Sequence, residues 1–322
     1  GGVVANAWLV GGGDPLLATK AFAAWWDGQP RYAGDPMTDF DALAPALKEA
    51  GVTSIPGGIH GDDRRYDAVR SIATWPQSAV ADHEVNPISA LTLNEGYQAW
   101  LAKTVVPADP AAFAAATLSG LLGAQGIAAP AGLDGSSPPT GVVLAQLASA
   151  PLSAIVGAML RSSDNQLAEL MVKELGYRDD VGTTAGGLAA IESTDKAIGI
   201  PLDGVVMRDG SGLDYGDRST CATLLDTLNV GFRPQFSSIA DGLAVAGQSG
   251  TLTFRYRGTP MAGKLRAKSG STDLAGGLVG YLDLGHPVRF AMLFNGRESD
   301  AALFQHEDAI IAAMAPYATS GQ

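Results

Sequence analysis

Gly263-Lys264-Leu265-Arg266-Ala267-Lys268-Ser269-Gly270-Ser271 is the stretch whose reading decides the fold. It reads as a strand. Residues 277–284 and 288–295 read as two more, joined by tight polar turns, and successive strands so joined imply an antiparallel sheet. Residues 301–315 follow as a closing amphipathic helix, with Leu303, Ile310, Ile311 and Met314 expected to cover one face of that sheet. The C-terminal third is therefore strand, strand, strand, helix.

Lys268-Ser269-Gly270 lies near the end of the first strand. A lysine there presents a fixed positive charge, and a glycine lets a substrate backbone approach closely. Ser269 adds a hydroxyl beside that charge, a combination suited to a terminal carboxylate. Taken alone, the triplet reads more readily as an exposed edge-strand lysine. Ser163-Asp164-Asn165 stands 105 residues upstream, between a helix expected over residues 152–161 and another from Gln166 carrying Leu167, Leu170 and Met171. Ser and Asp are common helix N-caps, so this triplet alone reads as capping.

Working back to the start, residues 3–10 read as a strand closed by Gly11-Gly12-Gly13-Asp14-Pro15. A helix holding Trp25 and Trp26 follows, then one over residues 40–50 ending at Gly51. Residues 52–60 and 88–93 read as short strands, with the polar turn Gly61-Asp62-Asp63-Arg64-Arg65 between them. Residues 110–122 read as a helix with Pro near its start. Residues 128–140 are rich in Pro, Gly and Ser and form the expected domain boundary.

The 322 residues are 46% hydrophobic and 17% charged, a globular composition with ample material for a core. The net charge of −12 argues against nucleic acid or an anionic membrane surface as partner, since both need a basic face. Cys221 is the only cysteine, which excludes an internal disulfide or a thiolate zinc site. His60, His83, His286 and His306 show no metal-ligand spacing. Gly11-Gly12-Gly13 is neither a dinucleotide fingerprint nor a P-loop, and Gly247-Gln248-Ser249-Gly250-Thr251 fails as a nucleophile elbow at its last position. No transmembrane segment is expected. The opening Gly-Gly-Val-Val carries no signal-peptide pattern and suits a mature, trimmed or truncated product.

The two triplets match two of the three motifs of active-site-serine penicillin-binding enzymes. Further segments follow in order: Trp8-Leu9-Val10-Gly11-Gly12-Gly13-Asp14-Pro15, Gly57-Gly58-Ile59-His60-Gly61-Asp62-Asp63 and Ser89-Ala90-Leu91-Thr92-Leu93-Asn94. Then come Gln166-Leu167-Ala168-Glu169, Asp209-Gly210-Ser211-Gly212-Leu213 and Ala246-Gly247-Gln248-Ser249-Gly250-Thr251-Leu252. Over nearly its whole length the chain resembles the D-alanyl-D-alanine carboxypeptidase/endopeptidase family of penicillin-binding proteins (DacB type, low-molecular-mass class C). The resemblance implies an α/β (α+β) fold of the penicillin-binding-protein/serine β-lactamase-like transpeptidase type, an antiparallel sheet flanked by helices. It further implies that residues 1–140 are an accessory α/β domain inserted between nucleophile and Ser-Asp-Asn motif. Residues 141–322 would be the catalytic domain, incomplete on its N-terminal side.

By the same resemblance Ser163 relays a proton between nucleophile and leaving amine, and Asn165 hydrogen-bonds the substrate amide. Lys268 holds Ser163 and favours the substrate's terminal carboxylate, which Ser269 bonds directly. Gly270 completes that motif, and the Ser271 N–H is an oxyanion donor. Peptidoglycan stem peptides are the implied substrates and β-lactams the implied covalent inhibitors, with no metal or organic cofactor, outside the cytoplasm. Lys-Ser-Gly replaces the family's usual Lys-Thr-Gly, and Asp214 stands where it usually has serine.

The third motif, a Ser-x-x-Lys bearing the nucleophile, should precede both triplets. The only such pattern is Ser193-Thr194-Asp195-Lys196, which lies between them and reads as a solvated helix face. The nucleophile is accordingly expected before Gly1. The rival expectations are a non-catalytic module that binds peptidoglycan or a protein on the same fold, and a serine β-lactamase, which lacks the inserted domain.

Overall fold

The computed structural model describes residues 2–131, 141–296 and 299–320. Of the expected boundary segment, residues 132–140 therefore lie outside the described residues. The chain forms two compact units, one of Gly1–Trp25, Pro36–Ala150 and Gln166–Ala190, the other of Trp26–Asp35, Pro151–Asn165 and Ile191–Gln322.

The first unit is built from short parallel strand pairs and helices. Gly2–Val3 pairs with Val52–Ser54, Ala7–Val10 with Ile59–Asp62, and Leu17–Ala18 with Thr38–Asp39. Where one strand was expected over residues 3–10 there are two, and the same holds for residues 52–60. The partner run carries Pro56 and Gly57 at the break. Proline has no N–H to donate to a ladder, and Gly57 lies so close that a Cβ would come within 2.4 Å of the Ala5 carbonyl oxygen, so the regular ladder is interrupted there. Residues 88–93 form no strand either, although all six are buried. Side chains satisfy this backbone locally: the Ser89 hydroxyl accepts from Leu91 N at 3.1 Å and Thr92 Oγ1 donates to Ser89 O at 2.7 Å, replacing ladder bonds. The helix Pro110–Ala124 starts as expected. Asp109 caps it by accepting from Ala112 N at 3.0 Å, and Pro110 takes the first turn, where a missing N–H costs nothing. Its Ala114, Leu118 and Leu122 join Phe40, Ile55 and Ile59 in the core.

The second unit holds a four-stranded antiparallel sheet in the order Val288–Asn295, Ala275–Leu282, Leu265–Ser271, Ala244–Val245. The last, two-residue strand had no sequence signal. Alternate residues point to opposite faces. Leu265, Ala267, Leu278, Leu282, Phe290 and Met292 pack with Ile311 and Ala318 of the helix Asp300–Ser320 on one face. Gly276 lets that helix sit close, since a Cβ there would fall 2.2 Å from Leu303. Ile310 departs from expectation: it is exposed while Ile311 is fully buried, because the buried stripe runs through 303, 307, 311 and 318. On the opposite face Phe232, just after the helix Cys221–Val230, meets the Tyr281 ring edge-on, and Asn229 accepts from Arg289 at 2.7 Å.

Candidate active site

Everything in the site belongs to the second unit. The helix Leu152–Ser162 ends because Ser163 turns left-handed, at φ 55° and ψ 55°. A non-glycine residue in that conformation costs roughly 1–2 kcal/mol. Asn165 then opens the next helix, Asn165–Leu175. The break between helices lifts Ser163 out of either ladder, and its hydroxyl accepts a hydrogen bond from Lys268 Nζ at 2.6 Å. Serine here is therefore not simply a cap.

Lys268 stands on the sheet face opposite Leu265 and Ala267. Its ammonium also donates to the Ser269 carbonyl at 2.5 Å. Loss of hydration on burial, reinforced by the nearby Arg31 guanidinium, pushes the Lys268 amine down from 10.5 to about 8. The Ser269 hydroxyl donates to Thr251 Oγ1 at 2.8 Å, and Ser271 ends the strand with its hydroxyl donating to Asp300 at 2.9 Å. The short strand Ala244–Val245 pairs with Ala267 and Arg266, so its register stops short of Lys268, Ser269, Gly270 and Ser271.

The turn at Ser163 is held from two sides. Gly250, at φ +60°, lies against it so closely that a Cβ would come 2.0 Å from the Arg161 carbonyl oxygen. Arg31 Nε donates to Ser162 O at 2.6 Å, and its Nη2 donates to Ser163 O at 3.1 Å. Arg161 forms an ion pair with Asp35. Burial raises the Asp35 carboxyl to about 6 despite the opposing pull of Arg161. Sequence reading missed Arg31, Asp35 and Thr251. Thr251 sat inside a quoted family-like segment, but nothing local marks Arg31, which lies 131 residues from the carbonyl it binds.

Chemically, a hydroxyl that accepts from an ammonium becomes a better proton donor, and its own O–H can still donate to a third group. That suits proton relay. The other candidates resolve as structure. Ser193 and Lys196 are exposed on the helix Thr184–Ile198, with Lys196 paired to Glu192. His60 stacks on Trp8 and His306 on Phe294, while His83 meets the Tyr97 ring edge-on. Asp214 closes a turn by accepting from Gly216 N at 2.6 Å. Among the described residues no helix is long and apolar enough to cross a membrane, and no cluster of His, Cys, Asp and Glu is suited to a metal ion.

The profile of the D-Ala-D-Ala carboxypeptidase 3 (S13) family matches residues 99–317. A D-alanyl-D-alanine carboxypeptidase of Actinomadura sp. (strain R39) is 27% identical over 398 residues, covering 98% of this chain and 70% of its own length. A carboxypeptidase of Mycobacterium tuberculosis is 30% identical over 301 residues, covering 89% of this chain. This chain spans 62% of that relative's length. Among solved structures, penicillin binding protein 4 (dacB) from Haemophilus influenzae matches with a TM-score of 0.72 at 20% identity, over 91% of this chain and 77% of that one. The fold is thus the penicillin-binding fold that the motifs led us to expect.

Proposed function

Because this chain belongs to the D-Ala-D-Ala carboxypeptidase 3 (S13) family, we propose that it is a serine-type D-Ala-D-Ala carboxypeptidase/endopeptidase working through an acyl-enzyme. Its substrates are peptidoglycan stem peptides, so it acts outside the cytoplasmic membrane, and β-lactams acylate the same serine. The observation that carries this reading is the 2.6 Å contact between Lys268 Nζ and Ser163 Oγ. It joins the two motifs and supports a proton-relay role for Ser163.

In this reading the serine of a Ser-x-x-Lys motif attacks the penultimate D-Ala carbonyl. The new ester bond forms as the peptide C–N bond breaks, and the nucleophile's proton passes through Ser163 to the leaving amine. Water then hydrolyses the ester. Asn165 binds the substrate amide. Lys268 and the Ser269 hydroxyl receive the terminal carboxylate, and the Ser271 N–H faces the oxyanion. The strand edge from Lys268 through Gly270 to Ser271, beyond the register of Ala244–Val245, suits an extended peptide added as a further strand. In place of a single boundary at 140, the unit of residues 1–25, 36–150 and 166–190 serves as the accessory part and the unit of residues 26–35, 151–165 and 191–322 as the catalytic part.

Fluorescent-penicillin labelling of the full-length protein tests this proposal. A covalent adduct on the folded sample is expected. A folded protein that takes no label overturns the enzyme reading and leaves a non-catalytic binding module on the same fold.

A further inference from the structure

The segment Trp26–Asp35 is tied into the second unit by contacts that make it a rigid bracket. Trp26 and Tyr32 stack with ring centroids 3.8 Å apart, and Asp27 closes the loop by accepting from Gly34 N at 2.8 Å. Thr253 Oγ1 donates to Pro30 O at 3.2 Å, fastening the loop to the turn after Gly250–Leu252. Asp35 pairs with Arg161, two residues before the candidate serine. Arg31 projects from this bracket, and its guanidinium spans the carbonyls of Ser162 and Ser163. Those carbonyls belong to the end of the helix, where the last oxygens have no intrahelical partner. A planar fork with fixed donor spacing suits two successive carbonyls in a way that an ammonium does not.

From this geometry we propose that Arg31 is a positioning residue for the Ser163–Lys268 pair, clamping the left-handed turn that presents the Ser163 hydroxyl to the lysine. It is not a catalytic residue, because its contacts are to backbone oxygens. The clamp also places a second fixed positive charge near Lys268. The other charged groups at this turn are the Arg161–Asp35 pair and Asp164, whose carboxylate bears on Asp35. The inference rests on the proposed peptidase reading for its catalytic consequence, but not for its effect on Lys268.

The test uses the full-length protein with Arg31→Met and Arg31→Lys, reading both the penicillin acylation rate and the Lys268 side-chain NMR titration. Arg31 is exposed, so both variants are expected to fold, which a thermal melt checks. Arg31→Met should slow acylation roughly ten-fold or more through misplacement of Ser163. It should also move the Lys268 midpoint up as the like charge is lost, by less than the shift that burial imposes. Arg31→Lys should keep the midpoint near that of the wild type while acylation stays slow, because the charge returns without the fork. Acylation of Arg31→Met within two-fold of wild type overturns the inference. So does an unmoved Lys268 midpoint, since the loss of rate would then be merely structural. Should the wild type take no label, the peptidase reading fails while the titration still decides whether Arg31 governs Lys268.

Discussion

In the proposed function the Lys268 charge is used in two places at once. The residue donates to Ser163 and, in that function, receives the substrate's terminal carboxylate as well. Lys268→Ala should lower the acylation rate by roughly 100-fold or more, the scale of losing one preorganised electrostatic contact in a dry site. Since its amine sits at about 8, the wild-type acylation rate should fall as pH rises through 8, when the ammonium becomes neutral. A rate measured from pH 6 to 10 that stays flat would remove the cation from the mechanism. Asp35 gives a stability test in a lower pH window. Burial holds its carboxyl near 6 rather than 3.8, so between those values the folded chain keeps a proton that the unfolded chain has lost. The contribution is greatest below pH 4 and is lost as pH rises through 6. Asp35→Asn should therefore flatten the pH dependence of unfolding free energy in that window, measured by denaturant titration at several pH values.

At the scale of elements, the site depends on a helix that ends on time and a strand that runs on. The helix Leu152–Ser162 stops at a left-handed serine, and the glycine turn at Gly250 permits that stop by approaching the Arg161 backbone. Gly250→Ala would meet both a positive φ and a 2.0 Å clash. We expect a cost of about 1–3 kcal/mol in unfolding free energy and a parallel loss of acylation, since the displaced atoms include those next to Ser163. Wild-type stability in that variant would show the turn can yield. Sequence periodicity found these helices and the three long strands because each is long enough to repeat its pattern. It misread residues 88–93, where a buried apolar run looked like a strand. Ser89 and Thr92 divert the backbone into turns there, and one-dimensional hydropathy carries no record of that competition.

Across the whole molecule, each compact unit holds a core of its own, one around Phe40, Ile59 and Leu118 and the other around Leu265, Leu278 and Ile311. Leu118→Ala and Leu265→Ala should each cost about 2–5 kcal/mol in denaturant unfolding, the range for emptying a fully packed position. A cost under 1 kcal/mol at either site would mean that its core refills the cavity. The sequence by itself determined the C-terminal strand-strand-strand-helix order, the Ser163-Asp164-Asn165 and Lys268-Ser269-Gly270 triplets and their order along the chain. These are local matters of periodicity, turn chemistry and residue type. Only the tertiary structure decided that Ser163 turns left-handed, that Lys268 reaches it at 2.6 Å, and that Arg31 and Asp35 brace the turn. The physical reason is distance along the chain. Hydrogen bonds spanning 105 and 131 residues leave no periodic trace, because the partners are chosen by the packing of elements and not by their neighbours in sequence.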